Sequence, residues 1–334
     1  MHAKVAVTSS PARSVAIVGT VSVESVMEKR CEDATVQSMQ PLIWESRPDG
    51  LRAPALVCAF TGWNDAGDAA SAALRFFGAS LGATRFAQID PEEFFDFQAT
   101  RPKVTLIDGD TRGLEWPSVE IYEARVPRAP RDLVLLSGPE PSFRWRTFSK
   151  LIVDLAEALG TQMVVSLGAL LADVPHSRPV GITGLSSDPT LIEGLELAPT
   201  SYEGPTGIVG VLQAACQEAG LPCASLWASV PHYVAAAPNP KAALALVRKL
   251  EGLVGVSVDA EELELASADY ERQVSLAVQS DPDVQAFVER LERTAAEEEE
   301  VVDPTELPSG DVIAREFQRF LRQRGPEGPD IAGM

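Results

Sequence analysis

Two of the three histidines in this 334-residue chain stand in triplets of one form, Val174-Pro175-His176 and Val230-Pro231-His232. Histidine is the side chain suited to moving a proton near neutral pH, and an aspartate can orient it. Asp173 lies three residues before His176, and Tyr233 directly follows His232. His176, His232, Asp173 and Tyr233 are therefore the candidate catalytic set, with proton transfer as their chemistry. Two histidines and an aspartate could also hold zinc, but no His-x-x-x-His or Cys/His spacing accompanies them, and no metal site is expected. No serine or cysteine stands in a Gly-x-Ser-x-Gly elbow, so a hydrolase triad has no support. The alternative is that both histidines make loop hydrogen bonds at a sheet edge or an interface.

Three further stretches have the residue types that bind anions. In "TGWNDAGDAAS" (Thr61–Ser71) a strand runs into a helix of small residues, with Asn64 and Asp65 at the junction. Backbone N–H groups at such a helix start attract negative charge. The same alanines would equally bring the helix close to a sheet, with Asn64 or Asp65 as its cap. "GPTGIVG" offers Gly204, Thr206 and Gly207 before another helix, as a phosphate-holding turn or as an ordinary turn with Thr206 as cap. Neither stretch has the Gly-Lys-Ser/Thr or dinucleotide spacing, and no cofactor is expected. In "EPSFRWR", Arg144 and Arg146 fall in a first helical turn, where cations oppose the helix dipole. That placement calls for a carboxylate, with Glu140 and Asp173 as candidates, or for a bound anion. Arg178 completes the list of possible anion ligands.

These residues need a frame. From Leu42 onward, short apolar runs ("ALVCAF", "ATRFAQID", "DLVLLSG", "QMVVSLGALLA", "ASLWASVPHYV") alternate with amphipathic stretches of 12–18 residues. That alternation predicts an α/β protein: a three-layer α/β/α sandwich with a mostly parallel central sheet. "VTLIDG" and "VEIYEARV" read as a more exposed antiparallel pair. Ser142 is expected to cap the helix that ends at Gly160, and Pro240 to open another. In a parallel sheet the loops after the strands gather on one edge, which would bring the candidate residues to a common rim. Trp63, Trp145, Trp227 and Tyr233 lie in or beside the same loops, where core burial or a protein interface would use them. After Val258 only helical patterns follow, at 261–279, 281–300 and 309–323. Asp259, Asp281-Pro282 and "PSGD" are their start signals. The expected organisation is a poorly ordered leader (1–40), a core domain (41–257), an acidic helical subdomain (258–325) and a flexible tail (326–334).

The totals bound partners and compartment. Formal net charge is −20, which argues against a nucleic-acid or anionic-membrane surface. The acid is uneven: from Ser257 onward 20 Asp/Glu face 7 Lys/Arg, a net of −13, against 28 and 21, a net of −7, before it. The four cysteines form no Cys-x-x-Cys pair and read as apolar thiols rather than disulfides. No apolar run is long enough to span a membrane, and residues 1–40 lack a secretory pattern. A cytoplasmic protein is expected, with Met39 as a plausible start.

Five ordered motifs, "FTGWNDAGDAAS", "PEPSFRWRTFSKLIVDLAEALG", "LGALLADVPHSRPVGITG", "YEGPTGIVGVL" and "LWASVPHYVAAAPNPKAALALVRKLEGLVG", resemble the proteasome assembly chaperone 2 family over Leu42–Ser257. "LPSGDVIAREFQRFLRQR" resembles the helical extension of its actinobacterial branch. The resemblance implies a nucleoside-phosphorylase-like α/β/α sandwich and a role in protein assembly without catalysis. It implies protein partners, proteasome subunits among them, and a homo-oligomer. Family members that dock into proteasome pockets commonly end in hydrophobic–Tyr–any residue. This chain ends Ala332-Gly333-Met334, so tail docking of that kind is not expected. The competing reading is a phosphorylase- or hydrolase-type enzyme using the strand-end loops.

Overall fold

The computed structural model describes residues 41–301, apart from 108, 110, 194, 196, 198–201, 235 and 236. The leader, the 309–323 pattern and the C-terminal tail lie outside the described residues.

Among the described residues ten strands and six α-helices follow in chain order. The strands are β1 (Leu42–Trp44), β2 (Ala55–Thr61), β3 (Thr84–Ile89), β4 (Lys103–Ile107), β5 (Thr111–Glu115), β6 (Val119–Ala124), β7 (Leu133–Pro139), β8 (Met163–Ala172), β9 (Ile182–Ser186) and β10 (Cys223–Pro231). The helices are α1 (Ala69–Ser80), α2 (Trp145–Ala158), α3 (Ile208–Glu218), α4 (Pro240–Val254), α5 (Glu261–Gln279) and α6 (Pro282–Val301). Eight strands form one sheet in the order β1-β3-β6-β7-β2-β8-β10-β9, while β4 and β5 make a separate ribbon. The centre, β7-β2-β8-β10, is parallel; β1, β3, β6 and β9 add antiparallel edges.

Side-chain alternation on the central strands builds two cores. Ala55, Val57 and Ala59 of β2 face one way, with Val165 and Leu167 of β8, onto α1 and α4. Leu56, Cys58 and Phe60 face the other, with Val134 and Leu136 of β7, onto α2 and α3. A strand buried on both faces must read as a continuous apolar run, which is why "ALVCAF" shows no polar alternation. The three layers expected from the sequence are present. Ala69, Ala70 and Ala73 are fully buried, so the small residues of α1 serve close packing against the sheet and α4. Cys58, Cys216 and Cys223 are buried free thiols; burial pushes the Cys58 thiol up to about 12.

Two local expectations are corrected. "VTLIDG" does not pair with "VEIYEARV": β4 pairs with β5, and β6 inserts between β3 and β7. Period-2 alternation marks a strand but cannot name its neighbour. Ser142 does not cap α2; its Oγ accepts from the Asp96 amide at 3.1 Å, and Arg144 holds the cap position in a left-handed conformation (φ 56°). Pro240 does open α4, where Asn239 accepts from the Ala242 amide. Asp259 and Asp281 likewise accept amides at the starts of α5 and α6.

Candidate functional site

The ends of β8 and β10 are register neighbours, Leu171 beside Val230 and Ala172 beside Pro231. The two Val-Pro-His loops that leave them must therefore lie side by side, and Tyr233 joins them. The rings of His176 and His232 lie 5.9 and 6.0 Å from that of Tyr233, each edge to face. The common rim expected for the histidines exists.

The hydrogen bonds around His176 put a proton on Nε2. Tyr233 Oη accepts the His176 backbone N–H at 2.7 Å and lies 2.8 Å from Nδ1. Nε2 lies 3.0 Å from Ser275 Oγ of α5, and that hydroxyl donates its proton to the Glu271 carbonyl at 2.8 Å. Ser275 can therefore only accept from Nε2–H, and in the neutral ring Nδ1 accepts from the Tyr233 hydroxyl. Both ring nitrogens are used by a neutral imidazole. Burial, reinforced by the Lys241 charge, holds the His176 pKa below its ordinary value. Lys241 Nζ donates to the His176 carbonyl at 2.5 Å and pairs with Glu271 at 2.6 Å.

Asp173 does not pair with His176. Its carboxylate lies 2.9 Å from His232 Nδ1, out in solvent, whereas the His176 ring turns inward toward α5. Three residues of sequence separation permitted the first pairing; the direction of the loop decided the second.

The same loops seat the C-terminal helices. Phe287 of α6 packs edge to face on His232 at 5.5 Å and on Tyr233 at 5.9 Å. Ser177 Oγ donates to Glu292 of α6 at 2.6 Å. The remaining space, walled by His176, Arg178, Asn239, Lys241 and Tyr270, is a cavity of about 20 Å³. A drug-sized ligand site needs about 300–1,000 Å³. The candidate catalytic set thus forms a filled contact between the sandwich rim and the α5–α6 pair.

The anion candidates form a second cluster. Asp65 Oδ1 accepts the amides of Ala70 (2.7 Å) and Ser71 (3.2 Å), so Asp65 caps α1 from across a short 3₁₀ turn. Burial raises its carboxyl above the usual carboxylate range, against those two donors. The start of α3 is already neutralised from within: Glu140 Oε1 accepts the Ile208 amide at 2.8 Å and Asn64 Nδ2 at 2.7 Å. A negative charge belongs at a helix N-terminus, and the chain supplies its own. Gly207 is required there, because a Cβ would lie 2.3 Å from Asn64 Oδ1 and 2.6 Å from Glu140 Oε1. The cap position is Gly207, and the expected Thr206 cap is corrected to the remote Glu140. A Cβ at Gly204 would meet the Tyr202 hydroxyl, which donates to the Pro205 carbonyl at 2.9 Å.

Arg144 pairs with Glu93, correcting both candidate partners, and Arg146 is exposed on α2. Glu140 was visible in the sequence only as a possible arginine partner. A carboxylate after a strand, 68 residues before the helix it caps, leaves no local trace.

Large apolar side chains also stand open at the strand ends and in the loop before α3. Trp63, Phe143, Leu170, Leu171 and Tyr202 are all exposed. Their loops are tied together through Asn64, whose carbonyl accepts the Ala169 amide at 2.8 Å and whose side chain meets Glu140 and Gly207.

A three-layer α/β/α sandwich whose strand-end loops are closed by their own side chains is the class that fold and site define. The sequence profile of the PAC2 family matches residues 59–278, and the chain belongs to that family. A PAC2 family protein from Streptomyces avermitilis is 47% identical and superposes with TM-score 0.66, over 70% of this chain and 99% of its own. A proteasome-assembly chaperone homologue from Mycobacterium tuberculosis is 43% identical, TM-score 0.65, with the same two coverages. PbaB of Pyrococcus furiosus, an archaeal proteasome activator, is 17% identical, with TM-score 0.57 over 71% of this chain and 97% of its own, and shares the fold. No curated protein matches the chain. Among the described residues no helix is long and apolar enough to cross a membrane.

Proposed function

We propose that this chain is a non-catalytic assembly factor, a cytoplasmic homo-oligomer that binds other proteins, with proteasome subunits as its partners. The observation that carries the reading is the state of the rim. The space walled by His176, Lys241 and Tyr270 is only about 20 Å³, while Trp63, Phe143, Leu170, Leu171 and Tyr202 are exposed at the strand ends and in the loop before α3. A histidine cluster that is filled by its own contacts, beside loops that expose aromatics, fits a protein partner better than a substrate. Membership of the PAC2 family, with a proteasome-assembly chaperone homologue at 43% identity, supports the choice of partner.

The test is direct binding of the full chain to purified actinobacterial proteasome α- and β-subunits, followed by biolayer interferometry. Trp63→Asp and Leu171→Asp should each weaken binding at least tenfold while leaving thermal stability near wild type, because both side chains face solvent. Absence of binding to either subunit removes the proteasome claim. Binding that both variants leave intact removes the rim as its surface.

A further inference from the structure

The loops expected from the sequence to bind an anion present oxygen atoms instead. Glu140 takes two hydrogen bonds on one oxygen: Oε1 accepts the Ile208 amide at 2.8 Å and Asn64 Nδ2 at 2.7 Å, and among the described residues Oε2 accepts none. Asn64 is 1% exposed, and its Oδ1 is buried without a partner among the described residues. Its neighbour settles the orientation of that amide, because only the nitrogen can donate to a carboxylate. Oδ1 and Glu140 Oε1 both crowd the side of Gly207 where a side chain would stand. Among the described residues no ion pair reaches Glu140: Arg144 pairs with Glu93, Lys150 with Asp154 and Lys241 with Glu271. A half-buried carboxylate without a cation, beside a buried carbonyl oxygen without a donor, calls for a positively charged donor.

We propose that this site takes a primary ammonium group, the side-chain end of a lysine on the partner protein. The assignment rests on the reading of these loops as a protein-binding face, and it names the chemistry that the face recognises. An ammonium on Glu140 Oε2 has three donors, one for the carboxylate, one for Asn64 Oδ1 and one for water. A guanidinium suits the site less well. Its planar fork pairs best with two free oxygens of one carboxylate, and Oε1 is already held by α3 and Asn64. The positive start of α3 is met by Oε1, which leaves Oε2 for the incoming charge. Trp63, Phe143 and Tyr202 stand exposed on the three loops that supply Asn64, Glu140 and Gly207. Aromatic rings suit both the methylene stem and the charge of a lysine. The net charge of −20 favours a basic partner at long range.

The probe is Nα-acetyl-lysine methylamide, titrated into the isotope-labelled full chain and followed by amide chemical shifts. The amides of Asn64, Gly207 and Ile208 should shift together and saturate, a readout that needs no variant. Glu140→Gln keeps an acceptor for the Ile208 amide and removes the charge. It should weaken the probe roughly tenfold or more, the scale of one hydrogen bond to a charged group. The Nε-acetylated probe, which has no charge, should not bind, and the arginine analogue should bind more weakly than lysine. Shifts confined to other residues, binding that Glu140→Gln leaves intact, or equal binding of the acetylated probe would each overturn the site. An arginine analogue that binds as tightly overturns the choice of lysine. Absence of any shift overturns the proposal and assigns Asn64 Oδ1 to a buried water. Subunit capture is measured separately. Capture that fails with Glu140→Gln, and fails once the subunit's lysines are acetylated, supports the partner's lysine. Capture indifferent to both overturns that lysine and leaves the assembly reading standing. A wild type that binds the probe but captures no subunit refutes the proteasome reading and supports the ammonium site.

Discussion

Glu140 gives the sharpest test of the closed rim. Its Oε1 accepts two hydrogen bonds, from the Ile208 amide at the start of α3 and from Asn64 Nδ2. Glu140→Ala removes both acceptors and the negative charge at the helix N-terminus. A hydrogen bond to a charged group contributes about 1.5–3 kcal/mol when buried. Glu140 is half-buried, so water replaces part of each, and about 1 kcal/mol apiece is the appropriate scale. Loss of the dipole partner adds about 0.5 kcal/mol. The expected destabilisation is therefore about 2–3 kcal/mol, or roughly 4–12 °C in melting temperature for a domain of this size. Thermal denaturation with and without inorganic phosphate is the assay. Phosphate should leave the wild type unmoved, since the helix start already holds a carboxylate, and should restore part of the lost stability in Glu140→Ala by occupying the vacated donors. The reasoning is refuted if phosphate stabilises the wild type strongly, or if Glu140→Ala melts with the wild type.

Two further outcomes follow from the same geometry. The His176 pKa is held below its ordinary value of 6.5, chiefly by burial, with Lys241 opposing and Glu271 and Glu292 favouring the charged form. The unfolded chain then binds the proton first, so this contribution is intact above about pH 6.5 and is lost as pH falls below it. Melting curves between pH 8 and 5 should show the decline, and His176→Gln should flatten it. Gly168 of β8 lies beside Trp227 of β10, where a Cβ would come within 2.5 Å of the indole. Gly168→Ala should cost about 1–3 kcal/mol in denaturant titration, as overpacking does; an unchanged midpoint would show that the indole can move aside.

The sequence by itself determined the layers of this protein. "ALVCAF" and its fellows are apolar on both faces because helices cover both, and that periodicity survives any detail of packing. Helix starts that depend on near neighbours were equally legible: Pro240 opening α4, Asp281-Pro282 at α6, and one of Asn64 and Asp65 before α1. The same holds for the meeting of the two Val-Pro-His loops, which follows from the parallel register of β8 and β10. Only the tertiary structure decided which side chains face each other. Glu140 caps a helix 68 residues away, Asp173 takes His232 rather than the nearer His176, and His176 turns inward to Ser275, 99 residues on. Hydrogen-bond partners are chosen by direction within a few ångströms, and loop direction is set by whatever packs on top. Here that is the α5–α6 pair, which packs on His232 and Tyr233 and takes a hydrogen bond from His176. The exposure of "VTLIDG" was legible, but its partner β5 came from the fold alone, because alternation marks a strand without naming its neighbour.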